Sequence, residues 1–143
     1  MLKKSRAKRA GDIIVDVDAP LIVTGLRGEA RGAVTEENTA EALGSGDVPV
    51  FGTPAVLALI EQAACDAIRR RLPQGTTSVG VWVELEHLAP SRVGAGVVAT
   101  AELVAVEGRL LHFECEARGG ETLVARAKHR RVLVVRDRWL DRV

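Results

Sequence analysis

The fold is decided by the stretch TPAVLALIEQAACDAIRRR, residues 53–71. Thr is a favoured helix cap and Pro fits the first helical position, so Thr53 and Pro54 predict a helix start. The Ala, Leu, Ile and Gln residues that follow, with no internal Gly or Pro, predict one helix of roughly five turns that ends near Arg71. The closing run of arginines suits the negative C-terminal end of this helix.

This helix has a broad apolar face, which must be buried for the chain to fold. The face consists of Val56, Leu57, Ile60, Ala63, Ala64 and Ala67. A twisted antiparallel sheet wrapped around the helix is the compact way to bury it, although physical grounds alone leave other α+β arrangements open. The predicted fold class is α+β, with one long central helix wrapped by a twisted antiparallel β-sheet.

The residues after Gly75 predict the strands of that sheet. One alternating set is expected to share a single sheet face, namely Val79, Val81, Val83, Leu85 and His87. Three more strands are predicted at residues 97–106, 109–117 and 122–135. Hairpin signals at Glu107-Gly108 and Gly119-Gly120 join them, so the strands are expected to form an antiparallel meander after the helix.

The segment before the helix predicts a lead-in, a strand and a loop. Short apolar runs at residues 13–17 and 21–23 are typical of a strand-like lead-in, and residues 28–35 predict a modest strand. A short helical turn is expected to begin within residues 36–39. Residues 43–49 are rich in glycine and predict a loop that could move over a site.

Length and composition indicate one globular domain. The chain has 143 residues, of which 47% are hydrophobic and 27% charged, enough for one core and too few for two ordinary domains. We expect residues 1–24 to form a basic, solvated, mobile tail with the lead-in, and residues 25–143 to form the domain. The formal net charge of +1 gives no general drive toward nucleic acid.

The sequence has no sign of a disulfide, a metal site or a membrane segment. Cys65 and Cys115 lie in apolar surroundings within different predicted elements, where reduced thiols behave as small hydrophobes. Aspartates interrupt any signal-peptide core, and no apolar stretch approaches transmembrane length, so a cytoplasmic protein is expected. Nucleotide-binding glycine motifs, a serine nucleophile elbow and clustered metal ligands are missing, so we expect neither a metal nor a prosthetic group.

Four segments, taken in order, carry a family resemblance. They are VTEENTA at residues 34–40, GSGDVPVFGTP at 44–54, LIEQAAC at 59–65, and SVGV at 78–81 continuing to HLAP at 87–90. The combination resembles the fluoroacetyl-CoA thioesterase-like family of the hotdog-fold thioesterase superfamily, over most of the chain after about Gly25. The resemblance implies a hotdog fold and an acyl-CoA thioesterase, which would release a carboxylic acid and free CoA.

The resemblance also implies a catalytic constellation of Thr53, Glu61 and His87. Glu61 would act as a general base on water or attack the thioester directly, His87 would orient groups or exchange protons, and Thr53 would position water or the carbonyl. Unpaired amides at the helix start would stabilise the oxyanion. On an ideal helix, Glu61 lies about 80° around and roughly 12 Å along the axis from Thr53.

Gly80, Phe51 and Gly52 are the expected substrate-binding residues. By resemblance, Gly80 is a substrate-facing strand glycine whose missing side chain lets the acyl group approach the backbone. The specialised fluoroacetyl enzymes carry aromatic lid residues before the helix, whereas residues 44–47 have none, so resistance to fluoroacetate is not implied. The family often places His-Glu-Arg where this chain has His129-Arg130-Arg131, which we interpret as structural or as a basic patch for CoA phosphates.

Each of these residues also has a simpler interpretation. Helix capping alone explains Thr53, a solvated charge explains Glu61, and a structural role explains His87. Solvated charge is likewise the simpler interpretation of the candidate phosphate contacts Arg92, Arg126 and Arg131. For the whole protein, the alternatives are a non-catalytic acyl-CoA-binding hotdog module and an enoyl-CoA hydratase-like enzyme, whose Asp/His pair we cannot place.

The expected partners follow from the same features. An unpaired sheet edge and an active site that one chain only partly forms predict a homodimer in which the two sheets join and the active sites lie at the interface. A tetramer is the alternative. The substrate would be an acyl-CoA thioester or an acyl-carrier-protein thioester, with CoA present only as part of the substrate. No nucleic acid or membrane partner is expected.

Overall fold

One long helix lies against a curled five-stranded sheet. The computed structural model describes residues 8–10, 13–15 and 22–143 of the chain. The strands and helices are β1 (Lys8–Ala10), β2 (Ile13–Val15), β3 (Arg27–Ala33), α1 (Ala40–Leu43), α2 (Thr53–Ile68), β4 (Thr76–His87), β5 (Gly96–Glu107), β6 (Leu110–Gly119), β7 (Thr122–Val135) and α3 (Arg136–Leu140). The long helix is confirmed, and its last turn tightens into a 3₁₀ turn at Arg69–Arg71.

The sheet runs in the order β3-β5-β6-β7-β4, with every neighbouring pair antiparallel. The predicted hairpins join β5, β6 and β7, but β4 lies beyond β7 at the edge, so the prediction of one continuous meander is wrong. The link from β4 to β5, residues 88–95, is therefore not a tight hairpin and runs beside the loop that precedes α2. There the N–H of Phe51 donates to the carbonyl of Ser91 at 2.8 Å.

The buried face of α2 forms the centre of the core. Its buried side chains are Val56, Leu59, Ile60, Ala63, Ala64, Ala67 and Ile68, while Leu57, predicted on this face, is only half-buried. On this same face, β3 crosses α2 in backbone contact. A Cβ atom built on Gly28 would overlap the backbone of Ala63 and Ala67, so only glycine fits at this crossing.

A β-bulge at Val81 changes which residues of β4 share a face. The register passes from Gly80 opposite Arg131 to Trp82 opposite Arg130, so one extra residue stands on β4. The prediction that this set shares one face is therefore wrong before the bulge, because Val79 faces away from the helix, and it holds only for Val83, Leu85 and His87, which face it. Gly80 and His87, an odd number of residues apart, would face opposite sides of a regular strand, but the bulge brings both to the helix side.

The N-terminal segment contributes a separate pair of strands. β1 and β2 pair with each other in antiparallel fashion, so Lys8 and Arg9 belong to a strand, and residues 1–7, 11–12 and 16–21 of the predicted tail and lead-in lie outside the described residues. The lead-in run at 13–17 is confirmed at Ile13–Val15, whereas residues 22 and 23 of the second run are not in a strand. Among the described residues, no helix is long and apolar enough to cross a membrane.

Candidate active site

Two of the predicted catalytic residues meet in a direct hydrogen bond. Thr53 Oγ1 lies 2.8 Å from His87 Nδ1, although the two residues are 34 positions apart in the chain. The contact joins the first residue of α2 to the last residue of β4. When the hydroxyl donates to Nδ1, the imidazole is the tautomer with its proton on Nε2. A hydroxyl held by a histidine in this way is the arrangement that activates an oxygen nucleophile.

The helix start is organised so that the Thr53 hydroxyl has no capping role. The cap residue is Gly52, whose backbone is extended (φ −72°, ψ 143°) and whose carbonyl accepts from the N–H groups of Ala55 and Val56 at 3.0 Å. The capping interpretation of Thr53 is therefore wrong. Because Pro54 has no N–H and those two amides are paired, the supply of unpaired amides for an oxyanion is also smaller than predicted.

The second ring nitrogen of His87, Nε2, lacks a hydrogen-bond partner in the described part of the chain. This atom is buried, and no described residue of the chain offers it a hydrogen bond. A buried polar nitrogen left unpaired costs about 1–3 kcal/mol, so such atoms in native proteins normally meet water, a ligand or another chain. His87 Nε2 is therefore the atom of the Thr53–His87 pair whose hydrogen bond would have to come from outside the described residues.

Glu61 does not join the Thr53–His87 pair. Its Oε2 atom accepts from Arg131 Nη1 at 3.0 Å and lies 3.6 Å from His129 Nε2, and its side chain is 38% exposed. A Cβ built on Gly80 would come within 2.6 Å of the same oxygen, so the missing side chain makes room for the carboxylate. In one chain the predicted constellation is thus divided into two half-sites, Thr53–His87 and Glu61–Arg131.

Arg131, which donates to Glu61, is the residue whose environment was not predicted from the sequence. Only 6% of it is exposed, and its Nε and Nη2 atoms donate to Ser78 Oγ at 2.9 Å and to the Ser78 carbonyl at 3.1 Å. The prediction of a solvated charge is wrong for Arg131. Its position in the alternation of β7, in phase with Ala125, Ala127, His129 and Leu133, was the signal that could have placed it inside.

The other predicted residues occupy mixed environments. Arg92 and Arg126 are exposed as predicted, and Arg126 pairs with Glu86 at 3.2 Å. Phe51 is buried in the core, and Gly52 packs against α1, where a Cβ would lie 3.2 Å from the Ala40 backbone. Substrate contact by Phe51, Gly52 and Gly80 stays a prediction.

The described side chains contain no metal-binding cluster, and the Cys115 thiol is not activated. Within residues 22–143, no group of His, Cys, Asp and Glu could hold a metal ion, and metal independence stays a prediction. Burial, together with the charge of Glu114, raises the pKa of the Cys115 thiol to about 12. Cys115 therefore stays protonated at neutral pH and is a poor nucleophile.

A family model described as fluoroacetyl-CoA-specific thioesterase matches residues 34–137. The chain belongs to this family. Within it, the fluoroacetyl-CoA thioesterase of Streptantibioticus cattleyicolor is 31% identical over 94 residues, which cover 66% of this chain and 68% of the relative. Family membership confirms the predicted enzyme class, a thioester hydrolase, and every residue of the two half-sites lies inside the matched range.

Solved thioesterase structures have the same fold. The fluoroacetyl-CoA thioesterase FlK superposes with a TM-score of 0.80 at 26% identity, over 86% of this chain and 96% of that one. A thioesterase superfamily member from Thermus thermophilus gives a TM-score of 0.77 at 26% identity, over 85% and 90%. These likenesses confirm the predicted hotdog fold of this thioesterase.

Proposed function

We propose that this thioesterase hydrolyses acyl-CoA thioesters and that the Thr53–His87 pair performs the acyl transfer. The observation that carries the proposal is the 2.8 Å contact between Thr53 Oγ1 and His87 Nδ1. Nδ1 is already positioned to accept the hydroxyl proton, whereas the Glu61 carboxylate is engaged by Arg131. We therefore propose His87, rather than Glu61, as the base for the Thr53 hydroxyl, and the carboxylate of Glu61 from a second copy as the acceptor for the unpaired His87 Nε2–H, where it would stabilise the imidazolium.

The reaction follows from this geometry in two transfers. Thr53 Oγ1 attacks the thioester carbonyl carbon while its proton passes to His87 Nδ1, and the positive N-terminal end of α2 stabilises the oxyanion. The carbon–sulfur bond then breaks, and His87 returns the proton to the CoA thiolate. Water next attacks the threonine ester with His87 again as base, and the carboxylic acid leaves as Thr53 recovers its proton.

The second half-site completes the reaction centre if two copies pair through β4. β4 is an edge strand whose backbone groups face outward, and Val81, Trp82 and Val83 on it are exposed. Gly80 and His87 stand toward opposite ends of this strand on the same face. Antiparallel pairing about a two-fold axis between them would bring each Thr53–His87 pair against Glu61 and Arg131 of the partner subunit.

The direct test of the function is thiol release from a panel of acyl-CoAs, from acetyl and fluoroacetyl to medium-chain acyl groups. We expect turnover of at least one thioester, with free CoA and the acid formed in equal amounts. Enoyl-CoA is included to detect hydration. Binding of acyl-CoAs without thiol release from any of them, or hydration in its place, would contradict the proposed reaction.

A heterodimer experiment tests the shared site. Chains carrying Thr53→Val and Glu61→Gln are co-expressed with different affinity tags, and the heterodimer is purified. We expect about half of the wild-type activity, because one of its two composite sites is intact while each homodimer has none. A heterodimer of Thr53→Val with His87→Ala is the control and should be inactive, since both of its sites lack a member of the Thr53–His87 pair. If the first heterodimer is as inactive as this control, the site lies within one chain.

A further inference from the structure

A buried histidine, His129, lies next to Glu61 and Arg131 and has no part in the proposed reaction. His129 is 2% exposed and lies on the inner face of β7. The Phe113 ring of β6 lies beside it, with ring centroids 6.4 Å apart. Burial of an ionisable ring without solvent contact requires that its two nitrogens find partners within the protein.

Both nitrogens of His129 have such partners, and together these define its tautomer. Nδ1 lies 2.8 Å from the carbonyl oxygen of Trp82, which can only accept, so Nδ1 carries the proton. Nε2 lies 3.2 Å from Arg131 Nη1, and a guanidinium nitrogen can only donate, so Nε2 must accept. The neutral imidazole protonated on Nδ1 satisfies both contacts at once, whereas the other tautomer satisfies neither.

We propose that His129, as a neutral Nδ1–H imidazole, is a positioning residue that aims Arg131 at Glu61 and holds the β4 bulge. The inference rests on the proposed function and adds a residue to the same site. Trp82 is the first paired residue after the bulge, so the bond to its carbonyl holds the strand where Gly80 admits the carboxylate. On its other side, the ring accepts from the same Nη1 atom that donates to Glu61.

Arg131 is thereby held by hydrogen bonds to three residues. Ser78 takes its Nε and Nη2 donors, and Nη1 is shared between Glu61 and His129. A guanidinium is planar, so fixing its two sides fixes the direction in which Nη1 points. Loss of the imidazole acceptor would leave one Nη1 hydrogen buried and unpaired, so the guanidinium would reorient and move the partly exposed Glu61 carboxylate with it.

The arrangement requires an uncharged ring, and the surroundings favour that state. Burial lowers the pKa of His129, and Arg131 lowers it further, against the opposing effects of the Trp82 carbonyl and Glu61. Of the charged or titratable groups that face the ring, Glu61 comes from α2 and Arg131 from β7. Cys115 on β6 stays an uncharged thiol. Protonation would turn Nε2 into a donor aimed at a cation 3.2 Å away.

The sign of the resulting pH dependence follows from linkage. The folded-state pKa lies below the unfolded value of about 6.5, so the unfolded chain binds more protons in the interval between the two. Stability from a neutral His129 is therefore fully present above pH about 6.5 and is lost as the pH falls toward the folded pKa. Replacing His129 by a residue that cannot titrate should remove this contribution.

Imidazole nitrogen NMR and two variants of the full-length chain test the proposal. The ¹⁵N spectrum at neutral pH should show His129 protonated on Nδ1 alone. His129→Leu should lower kcat by about tenfold to a hundredfold with KM changed less than about twofold, because the carboxylate is misplaced while substrate binding remains. His129→Gln, whose amide can both donate and accept, should recover most of the kcat. In the wild type, protonation of His129 should lower the free energy of unfolding as the pH falls from about 7.5 to about 5.5, and this part of the decrease should be missing in both variants.

Several results would overturn the assignment. One is an imidazolium or an Nε2–H tautomer at neutral pH, which the NMR measurement detects whether or not the protein hydrolyses any thioester. Another is full kcat in His129→Leu. A third is equal loss of kcat in the Leu and Gln variants in proportion to lost stability, which would indicate a structural role only. Failure of the proposed function would instead show as an inactive wild type with the expected tautomer.

Discussion

Replacing Thr53 by valine should reduce kcat/KM for acyl-CoA hydrolysis by at least about 10⁴-fold, because it removes the proposed nucleophile itself. Valine keeps the shape of threonine but has no hydroxyl to attack the thioester or to donate to His87 Nδ1. Thr53 is exposed, and Gly52 rather than Thr53 caps the helix, so thermal unfolding should change little. Thiol release measured beside an unfolding curve separates the two effects.

Two further variants make the Thr53 result specific. Thr53→Ser keeps a hydroxyl at the same place and should retain much of the activity. Thr100→Val applies the same chemical change to an exposed threonine of β5 outside both half-sites and should leave turnover unaltered. Near-normal hydrolysis by Thr53→Val would show that water, and not the threonine oxygen, attacks the thioester.

Replacing Gly28 by alanine should destabilise the fold by about 3 kcal/mol, at the upper end of what overpacking usually costs. The added Cβ would overlap the backbone of Ala63 and Ala67, and a helix backbone cannot rotate away as a side chain can. The helix would have to move off β3 and loosen the contacts of its buried face. Urea unfolding followed by circular dichroism measures the loss as a lower midpoint.

The control for Gly28→Ala is Gly96→Ala. Gly96 also lies in a strand, has no positive φ, and a Cβ built on it meets no atom within 4 Å. The same loss of chain flexibility therefore applies without the overlap, and the variant should be as stable as the wild type or slightly more stable. Similar unfolding midpoints for the two variants would disprove the close crossing of β3 and α2.

The sequence allowed α2 and the hairpins to be predicted because their determinants are local. An uninterrupted run of helix formers marks α2, and positive-φ glycines at 108 and 120 mark the two tight turns. The neighbour of β4 was mispredicted because strand order depends on contacts across the sheet. The bulge at Val81 was missed for the same reason, since an extra residue in a strand leaves the apolar alternation on either side intact.

The candidate site, like the fold, was predicted from the sequence only in part. Thr53, Glu61 and His87 were named through family resemblance, and their separation into two half-sites depends on tertiary distances that spacing along the chain does not contain. Arg131 was misjudged because a lone arginine in a strand is more often solvated than buried. Its burial depends on Gly80 across the ladder and on Ser78 as acceptor, and neither residue signals this by itself.

The extra residue in β4 is one that the ladder accommodates and does not need. Val81 is 54% exposed, so many amino acids could replace it with little effect on packing. Its removal would make the strand regular, with Gly80 still opposite Arg131 and Trp82 still opposite Arg130, so His87 would keep facing Thr53. The pairing with β7, rather than the number of residues in β4, thus holds the two halves of the strand in phase. A lineage could exchange the amino acid at position 81, or lose its codon, and keep the histidine beside its threonine.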